Sequence, residues 1–392
     1  MNRPAVEVAD ILRAQGQGFL DRYRASFDFQ QRQAFRAIQN CRTAALGGHL
    51  DACPPCGFQA ISYNSCRNRH CPKCQAQARQ RWLAAREQEL LPTSYFHVVF
   101  TVPHELNLLA LDNPRQFYHL LFTATAATLL EIAADPKHLG AEIGILSILH
   151  TWGQNLLAHP HIHCVIPAGG ISHDHSRWVH PRYPGFFLPV KVLSRVFRGK
   201  FIAGLKRLYR RKQLRCAGPS AAPANEKQFR ELLRRLHRHD WGVYAKPAFG
   251  GPRQVLRYLG RYTHRVAISN HRLLSFEGER VTFRWKDYAH ASQTRPMTLT
   301  ATEFLRRFFL HGLPKGFVRI RHFGFLGNRF RAARVKFCRQ LLASAPVPSA
   351  ASHVPVADAA IRHCPHCGTV MIIIQRFTSE QSLSRFSYFD TS

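Results

Sequence analysis

The segment His159-Pro160-His161-Ile162-His163 decides the fold that we predict for this chain. A Cys-Val-Ile run continues it and a Gly-Gly pair ends it, which predicts a strand over residues 160–167. Side chains two positions apart on a strand point to the same face, so His161 and His163 aim at one point while Ile162 packs behind them. Neutral imidazoles bind divalent transition metals, and the segment therefore predicts a metal site on a sheet.

Two further side chains are candidates for this site. His159 shares the parity of His161 and His163, and Gln154, seven residues before His161, is a plausible third ligand. A site with two or three protein ligands leaves positions for a phosphate oxygen and water. The alternative is that exposed strand histidines contact DNA phosphates without a metal.

A tyrosine pair follows about a hundred residues later. Tyr258 and Tyr262 are four apart, which stacks them on one face of a predicted helix. Such pairs are often packing residues, but this one has basic neighbours, which favour phenolate over phenol and offer cations to a phosphodiester. These DNA-binding candidates are Arg257, Arg261, His264 and Arg265.

The composition points to a polyanionic partner. Lys and Arg number 55 against 23 acids, a formal charge of +32, which predicts nucleic acid as the partner. A solvated face or a membrane surface is the alternative, but the basic residues are interleaved with aromatic ones over 195–330. No membrane segment is predicted, because Glu131 interrupts the longest apolar stretch, 120–134. The first residues lack an apolar core of a signal peptide, so we expect a cytoplasmic protein.

Most of the cysteines have the spacing of zinc ligands. The chain has eleven cysteines, and in a reducing cytoplasm these indicate metal more often than disulfides. Two C-x2-C pairs, Cys53/Cys56 and Cys71/Cys74, could form one ribbon-like site. Alternatively each of two sets binds one zinc, and the sets are Cys41, His49, Cys53, Cys56 and Cys66, His70, Cys71, Cys74. Phosphate contacts are expected between these ligands, from Arg67, Arg69 and Lys73.

A third C-x2-C pair lies near the end of the chain. Cys364 and Cys367 have His363 and His366 beside them but no obvious second half, although Cys338 lies upstream. We predict a possible C-terminal metal site here. The remaining cysteines, Cys164 and Cys216, are expected to be a buried thiol and a loop residue.

The predicted fold class is α+β, with a central, mostly antiparallel sheet that carries the histidine strand and has helices on one face. The tyrosine helix is expected against the metal site. Three consecutive parts are predicted: N-terminal helices with a zinc-binding domain over 1–92, a catalytic domain over 93–343, and a linker with a tail over 344–392.

With these motifs together, the chain resembles the two-tyrosine HUH rolling-circle transposases of the insertion-sequence-91 family. The resembling blocks are Cys66–Gln75 (CRNRHCPKCQ), His97–His104 (HVVFTVPH), Leu149–Gly170 (LHTWGQNLLAHPHIHCVIPAGG), Tyr244–Asn270 with YLGRYTHRVAISN, and Glu303–Gly324. After about Ala343 the match fades. The resemblance implies an HUH endonuclease-like sheet.

The resemblance also implies roles for the candidate residues. His161 and His163 would hold Mg²⁺ or Mn²⁺, with Gln154 as third ligand, and Tyr258 and Tyr262 would be the nucleophiles. The cysteine region would hold one or two Zn²⁺. The implied activity is metal-assisted nicking of single-stranded DNA at an element end, giving a 5′-phosphotyrosine and a 3′-hydroxyl that can prime replication. The sequence has no G-x-x-x-x-G-K-[ST] motif, so a host helicase and host replication proteins are expected partners.

Two other functions fit parts of the sequence. A DDE-type transposase or nuclease would need a carboxylate cluster, for which the central acids are Asp174, Asp240, Asp287 and Glu303. A zinc-containing DNA-binding protein without catalysis would bind DNA but would not nick it. A covalent adduct that depends on the tyrosines separates both from the HUH mechanism.

Overall fold

The computed structural model describes residues 4–215, 225–247, 253–254, 256–257, 260, 267–287, 290, 293–343 and 362–379. By their internal contacts the residues divide into two compact units. Unit 1 comprises Met1–Ala78, His264–Gly312 and Ala350–Ser392, and unit 2 comprises Arg79–Thr263 and Leu313–Ser349. The units are therefore built from interleaved parts of the chain, whereas the three consecutive domains remain a prediction.

Unit 2 is organised around a five-stranded antiparallel sheet. Its strands are β3 (Tyr95–Thr101), β5 (Gly144–Trp152), β6 (Ala158–Pro167), β9 (Val243–Pro247) and β13 (Ile320–Gly324). Their order is β13-β5-β6-β3-β9, so the histidine strand β6 lies in the centre. A small second sheet is formed by β4 (Ala141–Glu142), β7 (Gly170–Ser172) and β8 (Trp178–Val179).

Helices surround this sheet. They are α3 (Ala76–Gln88), α4 (Asn107–Asp112), α5 (Pro114–Ala134), α6 (Val190–Arg210), α7 (Glu226–His237) and α9 (Arg331–Ala343). By length and composition α5 could cross a membrane, but Phe117, Leu121 and Leu129 on it are buried in the core of unit 2. The helix behaves as a core helix.

The two faces of the five-stranded sheet differ in chemistry. One face carries Ile162, Cys164 and Ile166 of β6, which are buried with Phe117 of α5 and Phe197 of α6. Burying each of these large side chains stabilises the fold by roughly 1.5–3 kcal/mol. The residues between them point to the opposite face, where His161 and His163 lie. The apolar face thus packs against the helices of the core, and the opposite face presents the histidine side chains.

Unit 1 contains a cluster of phenylalanines between three helices. They are α1 (Val8–Tyr23), α2 (Phe29–Gln39) and α8 (Ala301–Phe309). The ring of Phe309 lies 6.0 Å from Phe19, 4.9 Å from Phe27 and 5.9 Å from Phe35, measured between centroids. On α8, Phe304 also contacts Phe283 of a three-stranded sheet, β10 (Leu273–Glu277), β11 (Arg280–Asp287) and β12 (Gln293–Thr300).

A second three-stranded sheet of unit 1 joins distant parts of the chain. Its strands are β1 (Gly48–Ala52), β2 (Gln59–Tyr63) and β14 (Ile372–Phe377), in the order β14-β1-β2. All pairs are antiparallel, with Gly48 opposite Phe377 and Tyr63. The third strand of this N-terminal sheet therefore comes from the far end of the chain.

The predicted α+β class with a central antiparallel sheet is confirmed. The predicted strand over 160–167 is β6. The cysteine region, for which the sequence predicted zinc ligands, also carries the regular strands β1 and β2. β1 pairs with β2 and with the distant β14, and the local sequence pattern does not show this pairing.

Candidate active site and metal centres

Strand pairing brings three imidazoles together on the open face of the sheet. His161 and His163 lie on β6, and His150 of β5 stands directly opposite His161 in the antiparallel register. One ring nitrogen from each of the three histidines lies within 4.8 Å of the others. The ring centroids of His150 and His163 are 4.2 Å apart. Three nitrogen donors at these separations suit one divalent transition metal ion.

Hydrogen bonds fix the orientation of two of these rings. The Nδ1 atom of His161 lies 2.6 Å from the carbonyl oxygen of His159, which can only accept, so Nδ1 carries the proton. The Nδ1 atom of His163 lies 2.8 Å from Nε2 of His97 on β3. In each ring Nε2 is then the nitrogen left for a metal. Outer partners of this kind orient the imidazoles of metal sites.

Burial keeps the imidazoles neutral. It lowers the pKa of His161 to about 4, with a further contribution from neighbouring His159, and the pKa of His97 to about 4. Burial also holds the pKa of His150 and of His163 well below the ordinary value. Neutral imidazole is the form that binds metals. The donor set is therefore ready for an ion near neutral pH.

Leu256, two residues before Tyr258, packs on this same face. Tyr258, Tyr262, Arg261, His264 and Arg265 lie outside the described residues. Their described neighbours at 253, 254, 256, 257 and 260 are helical. Leu256 is buried against Ile148 and Val165, which stand on the histidine face because Ile148 is the register partner of His163. At Gly260 an added Cβ would lie 2.7 Å from the Leu83 side chain of α3, so a larger residue there would have to displace that side chain.

Gln154 and His159 do not belong to the group of three imidazoles. Gln154 lies in the turn that joins β5 to β6, whereas the third imidazole comes from His150. The ring of His159 is 5.0 Å from that of His161, and its carbonyl group holds the His161 ring. The structure thus gives His159 an orienting role and leaves the ligand role of Gln154 a prediction.

The cysteines form two groups of four. Cys41, at the end of α2, meets Cys66, Cys71 and Cys74. The second group is Cys53, Cys56, Cys364 and Cys367. In each group the sulfur atoms lie within 4.8 Å of one another. Four thiols in this arrangement fit tetrahedral zinc.

These groups correct the predicted pairings of zinc ligands. Neither the two consecutive sets nor the ribbon of Cys53, Cys56, Cys71 and Cys74 forms. Nε2 of His49 lies 3.5 Å from Oδ1 of Asp51, its neighbour on the same face of β1. Nδ1 of His70 lies 3.2 Å from Oδ1 of Asn68. Both histidines are therefore engaged by nearby polar side chains, and the cysteines alone make up the groups.

The basic residues between the zinc ligands differ in their surroundings. Nζ of Lys73 lies 2.8 Å from Oε2 of the buried Glu7, which neutralises its charge. Arg69 is partly buried, and this burial lowers its pKa, whereas Arg67 is exposed. Arg257 is exposed too, with Nε 3.5 Å from Oε1 of Glu87. Arg67 and Arg257 are the predicted phosphate contacts that the structure presents to solvent.

The acids that a DDE mechanism would need are dispersed. Asp174 accepts from Ser172 and Ser176, Asp240 lies 3.3 Å from Arg198, and Glu303 binds two arginines. Asp287 pairs with His290 at 2.8 Å. Among the described residues none of the four acids belongs to a group that could hold a metal. The geometry gives a carboxylate mechanism no support.

Known proteins are similar to the chain over nearly its whole length. A family described as "Putative transposase" matches residues 144–334, and one described as "Transposase zinc-binding domain", of the insertion-sequence-91 type, matches residues 11–102. The "Putative transposase y4qJ" of Sinorhizobium fredii (strain NBRC 101917 / NGR234) is 50% identical, over 94% of each chain. The chain belongs to the insertion-sequence-91 family of transposases.

A further relative agrees with this assignment. The transposase for insertion sequence element IS801 of Pseudomonas savastanoi pv. phaseolicola is 29% identical, over 85% of this transposase and 80% of the relative. The resemblance found in the sequence is thereby confirmed: the protein is a transposase of an insertion sequence, with an N-terminal zinc-binding domain and DNA as its substrate.

Solved structures show only weak similarity to this transposase. The conjugative relaxase TrwC in complex with oriT DNA, in its metal-bound form, is 14% identical, covers 44% of this chain and 71% of its own, and has a TM-score of 0.24. The metal-free form has a TM-score of 0.23, with 43% and 71% covered. These values are too low to indicate a shared activity.

Sequence reasoning missed His150 and His97. His150 is a histidine inside the mostly apolar run Gly144–Trp152, and that position was the available signal. His97 is similarly placed among the apolar residues of β3. A histidine within a buried strand needs a partner, and strand order decides which one. Strand order was not predictable from the spacing of the motifs.

Proposed function

We propose that this transposase nicks single-stranded DNA by metal-dependent attack of Tyr258 or Tyr262 and moves single strands by rolling-circle transposition. One observation carries the proposal. Three neutral, converging imidazoles stand on the sheet face against which Leu256 packs, two residues before Tyr258. Leu256 and the three imidazoles thus share one face of the sheet of unit 2, which supports the proposal.

In this proposal His150, His161 and His163 hold Mg²⁺ or Mn²⁺. The bound ion would neutralise charge on a nonbridging oxygen of the scissile phosphate. A donor set of three nitrogens favours Mn²⁺ over Mg²⁺, because Mg²⁺ prefers oxygen ligands and keeps its waters. The carbonyl group of His159 keeps His161 in the tautomer with a free Nε2 atom, and Nδ1 of His163 would donate to Nε2 of His97 to leave its own Nε2 atom free.

The chemical step exchanges one phosphodiester for another. The phenolic oxygen of one tyrosine bonds to phosphorus while the bond from phosphorus to the 3′ oxygen breaks, and a proton ends on that 3′ oxygen. The product is a 5′-phosphotyrosine with a free 3′-hydroxyl, which keeps the bond energy for rejoining. The second tyrosine can cleave or accept another strand. Arg257 and the basic residues after it supply cations for the phosphates.

Other parts of the process need partners. Because the sequence lacks a P-loop motif, a host helicase would unwind the DNA, and host replication proteins would extend the 3′-hydroxyl. We expect the proposed activity to take place in the cytoplasm.

The test is to trap the covalent adduct on single-stranded DNA that carries a label 3′ of the cleaved bond. The wild-type protein with Mn²⁺ should give a labelled band of the size of the chain plus the DNA fragment. Tyr258→Phe and Tyr262→Phe together should abolish it, since no nucleophile remains. Full adduct formation by the double variant would contradict the proposal.

A matched control comes from a tyrosine outside the pair. Tyr183 is 59% exposed, so it could attack DNA non-specifically. Tyr183→Phe should leave the adduct unchanged. His161→Ala with His163→Ala should remove the adduct but keep DNA binding. If this variant nicked DNA like the wild type, metal catalysis would be wrong, and if the wild type bound DNA without nicking it, a non-catalytic binding protein would be the better description.

A further inference from the structure

The second group of thiols joins two segments more than 300 positions apart in sequence. Cys53 and Cys56 lie between β1 and β2, and Cys364 and Cys367 lie just before β14. Sγ of Cys53 is 3.3 Å from Sγ of Cys367, and Sγ of Cys56 is 3.5 Å from Sγ of Cys364. These separations are too long for disulfides, whose sulfur atoms are about 2.05 Å apart. They approach the edge of about 3.8 Å of a tetrahedron with zinc–sulfur bonds of about 2.3 Å.

The two segments have the same local structure. Their sequences are CPPCGF at 53–58 and CPHCGT at 364–369. In the first, the amide of Gly57 donates to the carbonyl group of Cys53 at 2.9 Å, and the amide of Cys53 donates to that of Phe58 at 2.8 Å. In the second, Gly368 donates to Cys364 at 2.9 Å, and Cys364 donates to Thr369 at 2.8 Å.

The glycines explain why both turns can close. Gly57 has a φ of +70° and Gly368 a φ of +74°, in the left-handed region that other residues rarely adopt. Each turn therefore presents its two sulfur atoms on one side, and the two turns face each other. This repeated geometry is what a four-thiolate zinc site made of two matching halves requires.

The contacts around the sulfur atoms make this a built site. Cys53, Cys364 and Met371 are buried in one cluster, with Phe58 packed against it. The ring of Phe58 lies 4.4 Å from that of His366. Beside them Arg362 donates to Oδ2 of Asp51 at 2.6 Å, and β14 pairs with β1 along its length. The two halves are thus held together by apolar, ionic and backbone contacts as well as by the thiols.

From these observations we propose that Cys53, Cys56, Cys364 and Cys367 bind a structural zinc ion that fastens the C-terminal segment to the N-terminal sheet of unit 1. The matched zinc-binding domain covers residues 11–102, so half of this site lies outside it. Binding replaces the four thiol protons by one Zn²⁺, and the metal is a cross-link between distant parts of the chain. The site is separate from the group around Cys41 and does not depend on the proposed nicking activity.

Zinc content of full-length variants tests the shared site. Cys53→Ser with Cys56→Ser, and Cys364→Ser with Cys367→Ser, should each lower the bound zinc by about one equivalent per chain, because either pair alone is half a site. The variant with all four changes should lose no more than either pair. Cys66→Ser with Cys74→Ser should remove a separate equivalent, additively. A doubled loss in the fourfold variant would show two independent sites, and an unchanged zinc content would show none; either result overturns the proposal.

A measurement on the wild-type chain avoids variants that fail to fold. Thiol alkylation is followed by mass spectrometry while a chelator withdraws zinc. Cys53, Cys56, Cys364 and Cys367 should become reactive together, at one rate. Alkylation of Cys364 and Cys367 while Cys53 and Cys56 stay protected would overturn the proposal.

The neighbouring histidines supply the matched control. His363 and His366 flank Cys364 but lie outside the group of four sulfur atoms. His363→Ala with His366→Ala should keep the zinc, and Co²⁺ in its place should keep the spectrum of four thiolate ligands. Loss of the metal from this variant, or a spectrum of mixed nitrogen and sulfur ligands, would contradict the ligand set.

Discussion

The Nε2 atom of His97 lies 2.8 Å from the Nδ1 atom of His163, and the two rings are nearly parallel, at 7°. His97 stands on β3, next to β6, which carries His161 and His163. Because the Nδ1 atom of His163 faces His97, its Nε2 atom is the one left for the ion of the proposed mechanism. In that mechanism His97 is a positioning residue, which would act on the ion through His163.

Replacing His97 should weaken metal binding without removing a ligand. His97→Ala is expected to lower Mn²⁺ affinity by roughly 10–100-fold, the range typical of such outer partners. His97→Gln should restore part of the affinity, since its amide oxygen can accept the same proton. Titration calorimetry gives the affinity, and saturating Mn²⁺ should recover adduct formation. His104→Ala, at a side chain 88% exposed, is the control, and wild-type affinity in His97→Ala would refute the role.

The third ligand can be assigned by comparing two substitutions. His150→Ala removes one of three imidazoles and should lower Mn²⁺ affinity by more than the roughly 10–100-fold of an outer partner. Gln154→Ala changes the turn between β5 and β6 and should leave the affinity nearly unchanged. If the two variants lost affinity equally, or if Gln154→Ala lost more, the ligand set would have to include Gln154.

Tyr244 is placed to bind a base beside the metal site. It pairs with Val99, which pairs with His163, so all three side chains share one face. Its ring lies 6.4 Å from that of His97 and has Nζ of Lys246 5.4 Å from its centre. Tyr244→Ala should weaken binding of single-stranded DNA by about 1–3 kcal/mol, the contribution of one stacked base.

Tyr244→Phe keeps the stacking surface and should bind DNA like the wild type. Fluorescence anisotropy with a labelled oligonucleotide, at one fixed salt concentration, measures both variants. Equal weakening by Phe and Ala would mean that the hydroxyl group, and not stacking, holds the DNA.

Glu303 should make unit 1 sensitive to acid. Its carboxylate accepts from Nε and Nη2 of Arg306 at 2.6 and 2.8 Å and from Nε of Arg307 at 2.6 Å. These hydrogen bonds lower the pKa of Glu303 to about 2, and the bonds from Arg306 make the larger contribution. A lowered folded-state pKa gives stability above the unfolded value, about 4.3, which is lost as the pH falls toward about 2.

Glu303→Gln should therefore cost about 1 kcal/mol in the free energy of unfolding at neutral pH, because the partly exposed pair is screened by solvent. The difference from the wild type should shrink between about pH 5 and pH 3. Urea unfolding at about pH 5 and at about pH 3 measures this difference in the free energy of unfolding. The control is Glu277→Gln, at an exposed side chain of β10. A difference independent of pH would contradict this origin.

The sequence could predict contacts between residues that are close together in the chain, but not contacts between residues that only strand pairing brings together. The period of two placed His161 and His163 on one face, because a strand repeats locally. The third imidazole could not be found in this way, since His150 reaches them only through the register of β5 on β6. The same holds for Cys364, whose partner Cys56 is brought close by the pairing of β14 with β1.

The errors in the zinc ligands have the same physical cause. Spacing along the chain suggested that neighbouring cysteines share an ion, with His49 and His70 included. In the structure Cys41 lies in one group with Cys71, although the hairpin of β1 and β2 separates them in sequence. Cys53, in the connection between these two strands, belongs to the other group. A short C-x2-C pair supplies half of a tetrahedral site, and only the tertiary fold determines the other half.

The pairing of β14 with β1 has a consequence for synthesis on the ribosome. More than 300 residues must be added after β1 before β14 exists. At about 5–20 residues per second, this takes roughly 15–60 s. During that interval the nascent chain exposes one edge of β1 and the thiols of Cys53 and Cys56, which the segment with Cys364, Cys367 and β14 later covers. This sheet of the transposase is therefore complete only once the ribosome has passed Phe377.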